Sequence, residues 1–403
     1  APLTGLIVQP TESFFSRFGH VIIMILIQFG GLGLMTFGTF FALIFRQEFG
    51  LRERVVLGDV LNVQVFSRIK TLLAAIIGIT ITMEGIGALL MYIFSGDYVE
   101  KMTTSRLFWS VFHSVSAFCN AGFSVWDENI IHFTSDWKMT FIFAGLIIFG
   151  GLGFIVLTDL GRYIFSPLRK KRRKVPHLTL QSKVVITTTI ILLISGTVLL
   201  IVGDTSNVFR GKTGPVMLLT AFFQSVTART AGFNTVDIGS LAAPALLVLI
   251  ILMFMGASPG STGGGVKTTT IAVLFGSIRD KLKGRKAASF YSRSISRGVI
   301  NAAAMIVVLG LVVIGAGTFL LCLFELGNGS DLTFLDLLFE EVSAFGTVGL
   351  STGPTFGLTT ASKIVIIITM FLGRVGPLTF LFAVMRKVKP ARMDYIEESI
   401  AVG

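Results

Sequence analysis

The sequence is 403 residues long, 53% hydrophobic and only 14% charged, with a mean hydropathy of +0.82. A water-soluble chain carries about 25% charge, so an ordinary soluble domain is excluded and the chain belongs in a bilayer. The formal charge of +12 needs no nucleic-acid partner, because the basic residues fall in short loops between apolar runs, as the positive-inside rule expects.

Apolar runs able to cross a bilayer, about 20 residues at 1.5 Å each, are expected at 17–45, 69–94, 138–165, 183–203, 297–325 and 360–385. No signal-peptide pattern precedes the first. Shorter half-apolar segments at 108–118, 216–228 and 334–345 cannot span and read as re-entrant helices. The run 242–282 differs: it begins apolar, is interrupted by GASPGSTGGG (256–265), and resumes as helix at Val266. Basic segments at 46–54, 162–183, 279–297 and 386–392 should be cytoplasmic. The alternate segments hold Asp97, Glu100, Asp127, Glu128, Asp204, Asp237, Glu325 and Asp336, and should face outward.

Three stretches align with one another: SVSAFCNAGF (114–123), SVTARTAGF (225–233) and EVSAFGTVGL (341–350). The opening LTGL (3–6) matches their ends. Each is followed by a glycine-rich stretch within a span: GGLGLMTF (30–37), GGLGFIVL (150–157), GGGVKTT (263–269) and GRVGPLTF (373–380). The unit is span, short helix, small-residue turn with glycine, span. Easing of helix packing explains one glycine in one helix. It does not explain a glycine at the same place in four units, outside the spans.

This pattern suits a cation path. An ion leaving water needs replacement oxygens, and backbone carbonyls supply them without a trapping charge. Irregular backbone at membrane depth is allowed where it lines a wet cavity. A short helix directing its C-terminal end inward favours a cation. The expected fold is therefore all-α and membrane-embedded, with four pseudo-symmetric helix–pore loop–helix repeats around one central pore. The boundaries are 1–54 (filter strand and second span only), 55–180, 181–294 and 295–389, with a cytoplasmic tail at 390–403.

On these motifs the sequence resembles the Trk/Ktr/HKT superfamily of K⁺ and Na⁺ transport proteins, most of all the membrane subunit of bacterial Ktr systems. The resemblance implies one filter glycine per repeat at Gly5, Gly122, Gly232 and Gly349. It also implies filter carbonyls from Leu3 and Thr4, Asn120 and Ala121, Thr230 and Ala231, and Thr347 and Val348. Four glycines resemble the K⁺-preferring type. The family's first repeat has a span and pore helix ahead of its filter, so a segment preceding Ala1 is expected.

The 256–265 interruption (Gly256, Ala257, Ser258, Pro259, Gly260, Ser261, Thr262, Gly263, Gly264, Gly265) cannot stay helical. The resemblance makes it an intramembrane gate below the filter; a passive kink at Pro259 is the plainer reading. A nucleotide P-loop is rejected, because Lys267 falls one residue late and a span precedes the loop. Lys267 and Arg374 are cations within spans. They are expected near the pore facing the loop, against the alternatives of snorkelling or pairing with an acid such as Asp159. Arg229 is expected to neutralise Glu340 or Glu341 or to cap carbonyls. Glu84 reads as a helix-packing partner or a coupling site. Cys119 and Cys322 lie in or beside apolar runs, and His20, His113, His132 and His177 are scattered, so no metal centre is expected.

The functional expectation is a multi-pass protein of the cell membrane that takes up K⁺, with Na⁺ as a second candidate ion. A Na⁺-coupled or Na⁺-permeable alternating-access symporter is the alternative, but such folds tend to carry inverted repeats, whereas these are parallel. No nucleophile–base pair, HExxH or Walker motif suggests an enzyme. The resemblance implies a homodimer seated on a cytosolic ring of nucleotide-binding regulatory subunits. The basic loops 169–174 and 279–286 and the tail are docking candidates, and lipid attraction is their plainer role.

Overall fold

The computed structural model describes residues 4–44, 69–96, 99, 105–164, 177–285, 288–328 and 331–376, and the side chains of all these except 33–44, 69–73 and 328. The expected basic segments 46–54, 169–174 and 386–392, residues 377–385 of the last span and the tail 390–403 lie outside the described residues.

A short α1 (Thr11–Phe14) leads into α2 (Arg17–Ile44). The long α3 (Ile69–Phe94) precedes a short α4 (Arg106–Phe118), then α5 (Trp137–Leu152) and α6 (Phe154–Ile164). The same order of long, short and following helix recurs in α7 (Leu180–Gly203), α8 (Gly214–Thr227) and α9 (Ala243–Phe254). After the interruption, α10 (Thr268–Leu282) leads into a two-stranded hairpin of β1 (Ser289–Phe290) and β2 (Arg293–Ser294). The order recurs in α11 (Arg297–Glu325), α12 (Phe334–Gly346) and α13 (Thr360–Val375).

Local chemistry sets these boundaries. Ser105 caps α4 by accepting from the Phe108 N–H. Thr333 and Asp336 form a reciprocal capping box at the start of α12. Pro215 sits in the first turn of α8, where its missing N–H costs nothing. Thr179 and Thr359 cap α7 and α13 from their side chains.

Among the described residues α3 (from Ala74), α7 and α11 are each long and apolar enough to cross a membrane. Their outer faces carry exposed apolar side chains such as Ile81, Ile194 and Val312, a surface that water would not tolerate over this extent. The run expected to form one span at 138–165 is instead two helices, α5 and α6, bent by 106°. Gly153 between them takes φ 90°, which no helix can continue through, and the freed Phe154 N–H donates to the Gly260 carbonyl at 2.9 Å. The backbone groups freed at the break are satisfied by the 256–265 segment rather than by helix continuity.

Each short helix packs on the long helix before it: α4 on α3, α8 on α7, α12 on α11. At each contact a glycine of the long helix receives a side chain of the short one. Ser114 lies against Gly87 and donates to the Glu84 carbonyl at 2.7 Å. Ser225 lies against Gly196 and donates to the Leu193 carbonyl at 3.1 Å. Glu341 lies against Gly317 and accepts from Thr369 of α13 at 2.7 Å. Close approach over small residues is what drives helix association where lipid removes the hydrophobic incentive. The buried faces of the short helices are aromatic: Trp109, Phe112 and Phe118 in α4, Phe223 in α8, and Phe339 and Phe345 in α12 are fully buried.

A Cβ on Gly87 would overlap the Ser114 hydroxyl and stand 2.7 Å and 2.8 Å from the Leu146 methyls, whereas one on Gly78 of the same helix meets nothing within 4 Å. Gly87→Ala is expected to cost about 1–3 kcal/mol by overpacking and to lower the thermal midpoint in detergent. Gly78→Ala should be neutral or stabilising by up to about 1 kcal/mol. Equal midpoints for the two variants would contradict this packing.

Candidate functional site

The short helices α4, α8 and α12 converge on one place. Each ends in a turn that uses the left-handed backbone region twice. Asn120, Thr230 and Thr347 take φ 53°, 93° and 51°, and Gly122, Gly232 and Gly349 follow at 72°, 77° and 97°. Gly5 takes φ 68°. Leu3, the first expected filter residue, lies outside the described residues. Asn120, Ala121, Thr230, Ala231, Thr347, Val348 and Thr4 are all buried.

These four glycines form a closed ring. A Cβ on Gly5 would stand 2.9 Å from the Ala121 carbonyl oxygen, and one on Gly122 would stand 2.6 Å from that of Ala231. The same position on Gly232 meets the Val348 carbonyl oxygen, and on Gly349 that of Thr4. Each glycine therefore faces the carbonyl of the residue before the next glycine, in the order 5, 122, 232, 349 and back to 5. The ring needs glycine twice over, for its left-handed φ and for want of room. The hydroxyls of Thr4 and Thr347 are buried with no hydrogen-bond partner among the described residues.

Three hydroxyls hold the turns. Ser116 donates to the Phe123 carbonyl at 2.7 Å, Thr227 donates to the Phe233 carbonyl at 2.6 Å, and Ser343 accepts from the Gly349 N–H at 3.1 Å. The backbone adds Ala121 N–H to the Ser116 carbonyl, Ala231 N–H to that of Thr227 and Val348 N–H to that of Ser343, each at 2.9 Å. In the third turn, Glu340 also accepts from the Thr352 N–H at 3.2 Å and from the Thr355 hydroxyl at 2.6 Å. Ser116, Thr227 and Ser343 stand inside the three aligned stretches, where the sequence pattern alone assigns them no role. Their common register, six or seven residues before the residue each one holds at or just after the ring glycine, was the signal.

The 256–265 segment lies directly against this ring. A Cβ on Gly263 would overlap the Thr230 hydroxyl, and one on Gly264 the Thr347 hydroxyl. Its backbone is hydrogen-bonded to the α5–α6 break: Ser258 N–H to Gly151 at 3.0 Å and Thr262 N–H to Gly150 at 3.3 Å, in addition to Phe154 N–H to Gly260. The Thr262 hydroxyl donates to the carbonyls of Phe118 and Gly150, both at 3.2 Å. Pro259 belongs to this docked backbone, since a Cβ on Gly153 would meet its carbonyl oxygen at 2.6 Å. Ser261 closes a local turn to the Ser258 carbonyl.

The cations Lys267 and Arg374 both end on this segment. Lys267 donates to the Gly263 carbonyl at 2.7 Å. Arg374 donates to the Thr262 carbonyl and, through Nη2, to the Gly30 carbonyl at 3.2 Å. Asp159 is held by Thr179 at 2.7 Å and Ser182 at 2.8 Å, so the pairing considered for it with these cations is not formed. Arg229 is buried beside Thr230, and its Nε has no hydrogen-bond partner among the described residues. The expected neutralisation of Glu340 or Glu341 by Arg229 does not occur: Glu340 is taken up by Ser351, Thr352 and Thr355, and Glu341 by Thr369. Glu84 accepts from Cys119 at 3.7 Å across the α3–α4 contact.

A helical membrane fold that gathers backbone carbonyls into a buried ring, with cations held to one side, has the parts of a cation transport protein. The chain belongs to the TrkH family of cation transport proteins, whose match runs over residues 2–393. It is 36% identical over 405 residues to the Ktr system potassium uptake protein B of Bacillus subtilis, covering all of this chain and 87% of that protein. Over 406 residues it is 33% identical to the potassium/sodium uptake protein NtpJ of Enterococcus hirae, again covering all of this chain and 87% of that protein. Its fold is similar to the crystal structure of the potassium transporter TrkH from Vibrio parahaemolyticus, with a TM-score of 0.72 at 18% identity, covering 96% of this chain and 76% of that one.

Thr227→Val removes the donor that satisfies the Phe233 carbonyl and should cost about 1–3 kcal/mol, read as a lower thermal midpoint. Thr227→Ser keeps the donor and should stay within about 1 kcal/mol of the parent. A Val variant as stable as the Ser variant would remove the hydroxyl's role in holding the turn.

Proposed function

We propose that the chain takes up K⁺ through a pore on the axis of the Gly5, Gly122, Gly232 and Gly349 ring. The observation that carries this reading is the ring's closure, in which four chain segments each bring a carbonyl to the neighbouring segment's glycine. Carbonyls from Thr4, Ala121, Ala231 and Val348, with those of Leu3, Asn120, Thr230 and Thr347, replace the water shell of the ion. The electronegative C-terminal ends of α4, α8 and α12 meet at the same place, which favours a cation and repels an anion. K⁺ as the ion draws on the printed function of the Bacillus subtilis relative. Na⁺ as a second permeant or coupled ion draws on the Enterococcus hirae relative.

In this reading the 256–265 segment is the gate. It abuts the filter residues Thr230 and Thr347, and it can leave only by exchanging the hydrogen bonds it makes to the α5–α6 break. Lys267 and Arg374 hold consecutive carbonyls of the segment, Gly263 and Thr262, and place positive charge below the filter. A homodimer and a cytosolic nucleotide-binding ring complete the proposed assembly, with gating control supplied from the basic cytoplasmic face.

Uptake of Rb⁺ against Na⁺ into liposomes tests the filter. Gly349→Ser is expected to raise Na⁺ entry relative to Rb⁺, and Gly5→Ser to act in the same direction. Unchanged selectivity in both folded variants would falsify the filter assignment. Arg374→Ala tests the gate: it is expected to change open probability in single-channel recording while the Rb⁺/Na⁺ ratio holds. If conductance and open probability match the parent, the gating role of Arg374 is lost.

A further inference from the structure

Between α7, α10 and the β1–β2 hairpin lies a cavity of about 680 Å³, within the range of pockets that hold small molecules, about 300–1,000 Å³. Its walls are apolar: Val184, Ile191, Leu192, Ile271, Ala272 and Phe275. The polar groups of Thr187 and Tyr291 are spent on each other at 2.6 Å and the Ser289 hydroxyl on Asp280 at 2.9 Å, so apart from the Thr188 hydroxyl the interior offers a polar solute little to bond. Along α7 the cavity runs from Val184 to Leu192, about 6 to 18 Å beyond the helix start at Leu180. A soluble partner does not follow that far into hydrocarbon, because it would strand backbone groups without water. Ile191 and Phe275 are exposed on the outer wall, so the cavity opens sideways to the bilayer.

The mouth is basic. The Lys183 ammonium lies 5.5 Å from the Tyr291 ring centre and the Arg279 guanidinium 5.8 Å from that of Phe290, and Lys281, Lys283, Arg285 and Arg293 are exposed nearby. Among the described residues two acids stand close, and both are occupied. Asp280 is buried and accepts from the Ser289 N–H at 2.7 Å and hydroxyl at 2.9 Å, with Arg279 at 3.2 Å and Arg285 at 3.4 Å. Asp159 is held by Thr179 and Ser182. The surplus of positive charge fits a phosphate, and an aromatic residue beside it, such as Tyr291, suits a membrane interface.

We propose that this cavity is a binding site for one anionic phospholipid of the cytoplasmic leaflet, with an acyl chain along α7 and its phosphate at Lys183 and Arg279. Met255 directly precedes the gate segment and Ile271 lies in α10, which follows it, so the lipid touches the chain on both sides of it. The site does not depend on that segment being a gate.

Native mass spectrometry of the full chain in detergent, offered equal phosphatidylglycerol and phosphatidylcholine, tests the site. The parent should retain phosphatidylglycerol in preference. Ala272→Trp fills the cavity and should abolish the retained lipid without changing the thermal midpoint. Lys183→Gln and Arg279→Gln should each lower the phosphatidylglycerol preference about fivefold, the worth of one basic group at an anionic membrane surface. Equal retention of the two lipids by the parent, or parent-like retention by Ala272→Trp, overturns the proposal. If Ala272→Trp does not fold, Phe290→Trp reports from inside the cavity. Its fluorescence should be quenched more by brominated-chain phosphatidylglycerol than by the brominated phosphatidylcholine, and equal quenching overturns the site.

Discussion

Four chain segments meet so closely at Gly5, Gly122, Gly232 and Gly349 that the Cβ position of each is already filled by a neighbour's carbonyl oxygen. The short and long helices described above make that meeting possible. Backbone this irregular has no place in hydrocarbon unless it is surrounded by protein or lines water, so three short helices and the long helices outside them must enclose it. The short helices can come inward because Gly87, Gly196 and Gly317 let them sink into the long ones. The turns keep their shape because Ser116, Thr227 and Ser343 pin each one from behind.

The same constraint governs the 256–265 segment. A broken helix at membrane depth must find partners for the backbone groups that the break exposes. It finds them in a second break, at Gly153, and the two interruptions satisfy each other across the α5–α6 bend. Neither would be tolerable alone, which couples the segment to a different part of the chain more than a hundred residues away in sequence. The two cations add to this coupling. Lys267 and Arg374 spend their donors on carbonyls of the segment and of Gly30 rather than on carboxylates, so they fix backbone while leaving their charge uncompensated by these contacts.

Much of the architecture was legible in the residues. Long apolar runs, short half-apolar segments and the recurrence of small residue–Gly at fixed distance from them are local patterns, and the helices Arg106–Phe118, Gly214–Thr227 and Phe334–Gly346 stand where those segments lie. The bend at Gly153 was not legible. GGLGF at 150–154 reads like any glycine-rich stretch of a membrane helix, and its φ of 90° follows from what docks against it. The partners of Glu340, Glu341 and Arg229 were not legible for the same reason: opposite charge says which groups could pair, but a buried carboxylate takes whichever donors the packing presents, here hydroxyls and backbone N–H groups.

The sequence by itself determined that this is a helical membrane protein of recurring units, and it marked the four glycines, because hydropathy and residue spacing are properties of the chain alone. Only the tertiary structure decided that those glycines close on one another, in which order, and that the interrupted helix rests beneath them. The physical reason is that contacts between segments separated by a hundred residues depend on which side chains and carbonyls compete for the same few cubic ångströms, and no local pattern carries that competition.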